Sequence, residues 1–179
     1  MVDTESAVRA YAAARQFASV TLERWLAQPA EDRAALLDLA DRLRLGENQF
    51  RDAFDDLVAI GARRGCGIAE VLRADELRTV LARQLGRNEA VKAVKSVLRR
   101  LRYPQLTAAE QRLAALGKSL RLPAGVSIEW PHDLEGEHIA IAMRAASAGE
   151  LRAQARRVVA ALEGGAIEEM FALLDGAQP

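Results

Sequence analysis

The side chains able to do chemistry fall into two groups, a run of cations and a short loop of metal-ligating types. The cations lie in residues 88–104, NEAVKAVKSVLRRLRYP. Lys92, Lys95, Arg99 and Arg102 recur at steps of three and four, so on an α-helix they form one stripe, with Arg100 beside it. Val91, Val94, Leu98 and Leu101 keep the same spacing one residue earlier and form a parallel apolar seam. Cations at one-turn spacing can follow a phosphate backbone and give sequence-independent, salt-sensitive binding. They can equally form a solvated face, or pair with Asp52, Asp55, Asp56 or the acidic C-terminal segment, where exposed pairs add little stability. No aromatic residue interrupts the stripe, which argues against stacking on single-stranded bases. The aliphatic seam is needed for a core, which argues against a membrane surface. The candidate nucleic-acid-binding residues are therefore Lys92, Lys95, Arg99, Arg100, Arg102, Arg112 and Lys118, with double-stranded DNA as the possible partner.

The second group is His132-Asp133-Leu134-Glu135-Gly136-Glu137-His138. Its donors suit a hard or borderline metal such as zinc. They are confined to one short turn, however, and no distant third ligand accompanies them, so a polar hairpin loop is the expectation and no metal site is assigned. The single cysteine, Cys66, lies in a Gly65-Cys66-Gly67 turn with no His and Asn or Asp conjunction to activate it. Phosphate-cradling glycine loops, dinucleotide fingerprints and nucleophile elbows are missing from the sequence. The expectation is a non-enzymatic protein with no catalytic residues and no cofactor.

These side chains must be positioned by helices. In 179 residues, half hydrophobic and only 4% aromatic, aliphatic seams dominate. A first helix is expected from about Thr4 to Ala27, and a second from Pro29 to a stop at Gly46. A third runs from Glu47 to about Ile60, burying Phe50, Phe54, Leu57 and Val58. The second and third have helix-turn-helix spacing, but Asp52, Asp55 and Asp56 would repel phosphate, so an ordinary αα-hairpin is expected. Short helices at 68–72 and 74–84 precede the basic helix, for which Asn88 is the expected N-cap and Pro104 the stop. Thr107 with Glu110 reads as a capping box for the next helix. The period then changes to two. Val126, Ile128 and Trp130 alternate with polar residues, as do Ile139, Ile141 and Met143 with small ones, giving two antiparallel strands. Ser147 and Glu150 cap a helix carrying Leu151, Ala155, Val158 and Leu162, and a last short helix comes after it.

The charge balance is zero but uneven. Residues 83–121 hold 10 Lys/Arg against 2 Asp/Glu, a net +8, between flanks of −3 and −5. Such a middle can face a polyanion or the chain's own acidic parts. No run approaches a membrane span, and the start of the chain has no hydrophobic signal core. With one cysteine, the expected location is the cytoplasm, and no membrane partner is expected.

The order helix, strand, glycine-containing turn, strand and Ser-x-x-Glu-Leu helix resembles the C-terminal domain of ParB-type chromosome partition proteins. It is carried by Leu113–Leu120, Val126-Ser127-Ile128, Gly136, His138-Ile139-Ala140-Ile141 and Ser147-Ala148-Gly149-Glu150-Leu151, about one third of the chain. The resemblance implies a homodimer made by strands and helix, through Val126, Ile128, Trp130, Ile139, Ile141, Met143, Leu151 and Val158. In that family basic residues on the sheet contact DNA. Here the outward strand positions are Ser127, Glu129, Ala140 and Ala142, with only Arg144 basic. The family's nuclease-like N-terminal domain and helix-turn-helix are also missing from the sequence. Any DNA contact would therefore fall to residues 83–121.

The expected fold is mainly α (α+β): a multi-helix N-terminal body over 1–104, then a C-terminal α-β-β-α unit over 105–179 with an antiparallel two-strand hairpin. The expected function is a non-enzymatic DNA-associated or partition-like accessory protein. The alternative is a protein–protein interaction or adaptor module without nucleic-acid binding.

Overall fold

The computed structural model describes residues 3–131, 134 and 138–176. Ten helices and one two-stranded antiparallel sheet run through them, dividing between a unit over Met1–Tyr103 and a unit over Pro104–Pro179. The fold is thus mainly α with a small α-β-β-α unit. No helix among the described residues is long and apolar enough to cross a membrane.

The first unit holds α1 (Thr4–Ala14), α2 (Ser19–Leu26), α3 (Ala30–Leu43), α4 (Glu47–Arg64), α5 (Ile68–Leu72), α6 (Asp75–Leu81) and α7 (Arg87–Arg102). The single first helix expected over 4–27 is two. Gln16 takes φ 55°, the Phe17 amide bonds the Ala12 carbonyl and the Gln16 amide bonds that of Ala13, the paired closure of a Schellman motif. The break turns Phe17 inward, where its ring lies 5.1 Å from Phe50 and 6.3 Å from Trp25. Five of the eight aromatic side chains, Tyr11, Phe17, Trp25, Phe50 and Phe54, form this one cluster. Tilted and edge-on rings at such spacing add to the burial of large apolar surfaces.

Other helix ends also differ from expectation. Arg44, at φ 48° and ψ 50°, ends α3, whereas Gly46 starts α4 as its N-cap. Left-handed geometry usually falls to glycine, so the sequence points to the wrong residue. The third helix runs on past Ile60 to Arg64, because Gly65 (φ 67°) supplies the left-handed cap there. The amide of Ala69, at the start of α5, donates to the buried carboxylate of Asp32 from α3 at 2.7 Å. A Cβ on Gly67 would come within 2.9 Å of that carboxylate, which is why the turn needs a glycine there.

The second unit is α8 (Pro104–Ser119), β1 (Val126–Glu129), β2 (Ala140–Met143), α9 (Ala148–Leu162) and α10 (Ala166–Leu174). Pro104 itself opens α8, so Thr107 lies inside the helix and makes no N-terminal cap; proline at the first helical position leaves no amide without a partner. Leu113 and Leu116 of α8, and Leu120 just after it, bury against Met170 and Leu174 of α10, each fully buried leucine contributing roughly 1.5–3 kcal/mol. Ile128 pairs with Ile141, and Val126 with Met143. Trp130 rests close to Gly117, whose missing side chain makes the room. Ser147 accepts from the Glu150 amide at 3.1 Å, and Glu150 reaches back to the Ala146 amide at 2.8 Å, one residue before the expected reciprocal partner. The loop residues His132, Asp133, Glu135, Gly136 and Glu137, on which the metal-ligand reading falls, lie outside the described residues.

Candidate nucleic-acid interface

Helix α7 forms where the apolar seam demands it. Val94, Val97, Leu98 and Leu101 are buried, and the helix packs against α4 and α6. Gly86, not Asn88, is its N-cap, and Asn88 makes no capping bond. At the other end Arg63 of α4 donates to the carbonyls of Leu101 and Arg102 (the latter at 2.5 Å), satisfying acceptors that Pro104 leaves without helical partners.

The basic stripe lies along the α4 side of α7, so half of it faces the fold's own acids. Lys95 Nζ is 3.4 Å from Asp52 and Arg102 Nη1 is 2.7 Å from Asp56. Asp55 of the same α4 face binds Arg24 of α2 at 2.6 Å. The two α7 pairs differ in kind. Lys95 and Asp52 are both well exposed, so water screens them, whereas Asp56 is only 17% exposed and Arg102 34%. The Asp56 hydrogen bond holds Arg102 more firmly protonated, and its guanidinium also lies 5.0 Å from the centre of the Tyr103 ring. Lys92 and Arg100 are exposed and touch no carboxylate among the described residues. Arg99 is engaged within the chain. The helix-turn-helix face of α4 is thus taken up by α2 and α7, which leaves α3 and α4 as a hairpin joined through residues 44–46.

In the second unit Arg112 makes a two-pronged bond to Glu169, at 2.5 and 2.9 Å. This lowers the Glu169 pKa and raises that of Arg112. Lys118 is exposed near the end of α8.

The dimerisation set divides sharply. Ile128, Trp130 and Ile139 pack on the second core, and Val158 is buried. Leu151 and Met143 remain 43% and 41% exposed, and Val159, outside the expected set, 59%. α9 is also anchored by a side chain that sequence reading missed. Gln154 Nε2 donates to the carbonyls of Ala124 and Arg144 at 3.1 and 3.0 Å, beside Gly125 at φ 82°. A Cβ on Gly125 would come within 2.5 Å of the Arg144 carbonyl oxygen.

Another feature that sequence reading missed is a cleft of about 260 Å³ lined by Arg42, Arg44, Arg83 and Arg87 with Leu43, Val80, Leu81, Leu85 and Ala90. Two of these arginines lie about forty positions from the other two, so only packing brings them together. Comparison with protein-family models, with curated proteins and with solved structures gives no significant match for this chain.

Proposed function

We propose that this chain is a non-enzymatic, DNA-associated accessory protein of partition type that holds duplex phosphates on α7 and homodimerises through its C-terminal unit. The observation that carries the reading is the pair Lys92 and Arg100, exposed on α7 with no carboxylate partner among the described residues. Cations left unneutralised by the fold release counterions on meeting a phosphate chain, which favours binding that weakens steeply with salt. Lys95 and Arg102 act beside them, Lys95 by exchanging a solvated partner for phosphate and Arg102 mainly by holding the helix on α4. The resemblance of the second unit to the ParB C-terminal domain supports the dimer.

The test is fluorescence anisotropy of a labelled random-sequence duplex across a salt series, comparing the wild type with Lys92→Glu/Arg100→Glu. The expected result is binding at low salt that the variant loses with its helicity unchanged. A Lys92→Ala/Arg100→Ala variant should lower the slope of log affinity against log salt by about 2. No binding by the wild type at low salt, or equal binding by the charge-reversed variant, overturns the reading.

The alternative, a protein–protein adaptor without nucleic-acid binding, has its own supporting observation. A groove of about 240 Å³ between α4 and α7 has an apolar floor of Leu45, Ala53, Val94 and Leu98, and Lys95 and Asp52 on its rim already pair with each other. Wild-type protein that ignores DNA at low salt would favour this second reading.

A further inference from the structure

The cleft between the end of α3 and the start of α7 is where the first unit gathers positive charge without neutralising it. Four arginines line it, Arg42, Arg44, Arg83 and Arg87, and no aspartate or glutamate does. Several other cations of this unit face acids, as in Arg24–Asp55, Arg73–Glu31, Lys95–Asp52 and Arg102–Asp56. Here the arginines are oriented by neutral groups instead. Arg42 donates to the Leu81 carbonyl at the end of α6. Arg87 donates to the Leu43 and Arg44 carbonyls at 3.2 and 2.9 Å and to Gln49 at 3.3 Å. Carbonyls fix a guanidinium in place without cancelling its charge, and Arg87 is also the first residue of α7, at its positive end. No bond from the side chain of Arg44 or Arg83 to any group is found among the described residues.

Arg44 adds an independent sign. It occupies the left-handed position that closes α3, where glycine is favoured, and its backbone carbonyl accepts from both Arg15 and Arg87. An arginine at such a position, beside three others in a cleft whose lining holds no carboxylate, fits a role in binding an anion better than a role in the backbone turn.

We propose that this cleft is a binding site for a compact polyphosphate group, a small molecule carrying two or more linked phosphates. Planar guanidiniums bind phosphate oxygens in pairs, and four of them match the charge of adjacent phosphates that one or two cations could not hold. The cleft, about 260 Å³, has room for such a group, with Val80, Leu81 and Leu85 beside the arginines. A duplex backbone, by contrast, lies across a convex surface and would offer the cleft single phosphates. The site is separate from the α7 stripe and stands whether or not the stripe binds DNA.

The experiment is titration calorimetry of the full chain with inorganic tripolyphosphate, with sulfate at matched ionic strength and a DNA duplex as parallel arms. The variants are Arg44→Gly, Arg83→Ala and Lys92→Ala. Glycine suits the left-handed position, so Arg44→Gly should fold with a thermal midpoint no lower than the wild type. The wild type is expected to bind tripolyphosphate well ahead of sulfate. Arg44→Gly and Arg83→Ala should each weaken that binding on the order of tenfold, as loss of a charged hydrogen-bond donor does, and Lys92→Ala should leave it unchanged. Absence of tripolyphosphate binding, no preference over sulfate, or equal loss in Lys92→Ala overturns the proposal. So does a cleft whose two arginine variants lose duplex binding while tripolyphosphate is not bound, because the site would then serve a nucleic-acid backbone.

Discussion

The Tyr11 hydroxyl shares its one proton between the Ala40 carbonyl at 2.7 Å and the Leu45 carbonyl at 2.9 Å, across the left-handed end of α3. Burial pushes its pKa above the ordinary 10.0, with Asp41 adding to the rise and Arg15 opposing it. The folded state therefore holds this proton more tightly than the unfolded chain. Its contribution to stability is complete below pH 10 and is lost as the pH climbs through the raised value. Tyr11→Phe should cost about 1–2 kcal/mol at neutral pH by leaving the Ala40 and Leu45 carbonyls without that donor. It should also remove the part of the alkaline decline that Tyr11 causes. Urea unfolding at steps between pH 7 and pH 11 measures both effects. A variant whose stability falls above pH 10 as steeply as that of the wild type would show that the phenol is not the group responsible.

Between elements, the α4–α7 interface joins an apolar seam to two ion pairs of unequal worth. Asp56 is largely covered, and Asp56→Ala leaves the half-buried Arg102 without its carboxylate, at an expected cost of about 1–2 kcal/mol. Asp52→Ala should cost less than about 0.5 kcal/mol, because Lys95 and Asp52 face water 3.4 Å apart. Denaturant midpoints of the two single variants, with Arg102→Ala closing a double-mutant cycle, separate them; equal costs would refute this ranking. The seam and the stripe were legible because a period of 3.6 survives in the sequence, as were the α5 turn and the alternating strands. What the stripe faces was not, since Asp52 and Asp56 are more than forty positions from their partners. Gln16 and Arg44 concealed two helix ends for a related reason. Neither is glycine or proline, and each is held left-handed by the packing of its C-terminal neighbour, Phe17 in the aromatic cluster and Leu45 in the core.

At the scale of the whole molecule, the second unit carries an apolar surface that its own chain leaves in water. Two strands form a sheet of marginal stability with open edges, and Met143, Leu151 and Val159 remain exposed on β2 and α9. Spacing along α9 puts Leu151, Ala155 and Leu162 in line with the buried Val158, with Val159 on the flank. A second copy set against this face would cover those aliphatic groups and could extend the sheet at an edge. Light scattering on a sizing column should therefore return twice the 19.5 kDa chain mass at micromolar concentration. The thermal midpoint should also rise with concentration, because dimerisation draws on the folded form alone. Leu151→Asp/Val159→Asp, both exposed and outside the cores, should return the chain mass while helix content stays intact. A wild type that stays at 19.5 kDa as concentration rises, with a constant midpoint, would mean that this face serves a different partner or none.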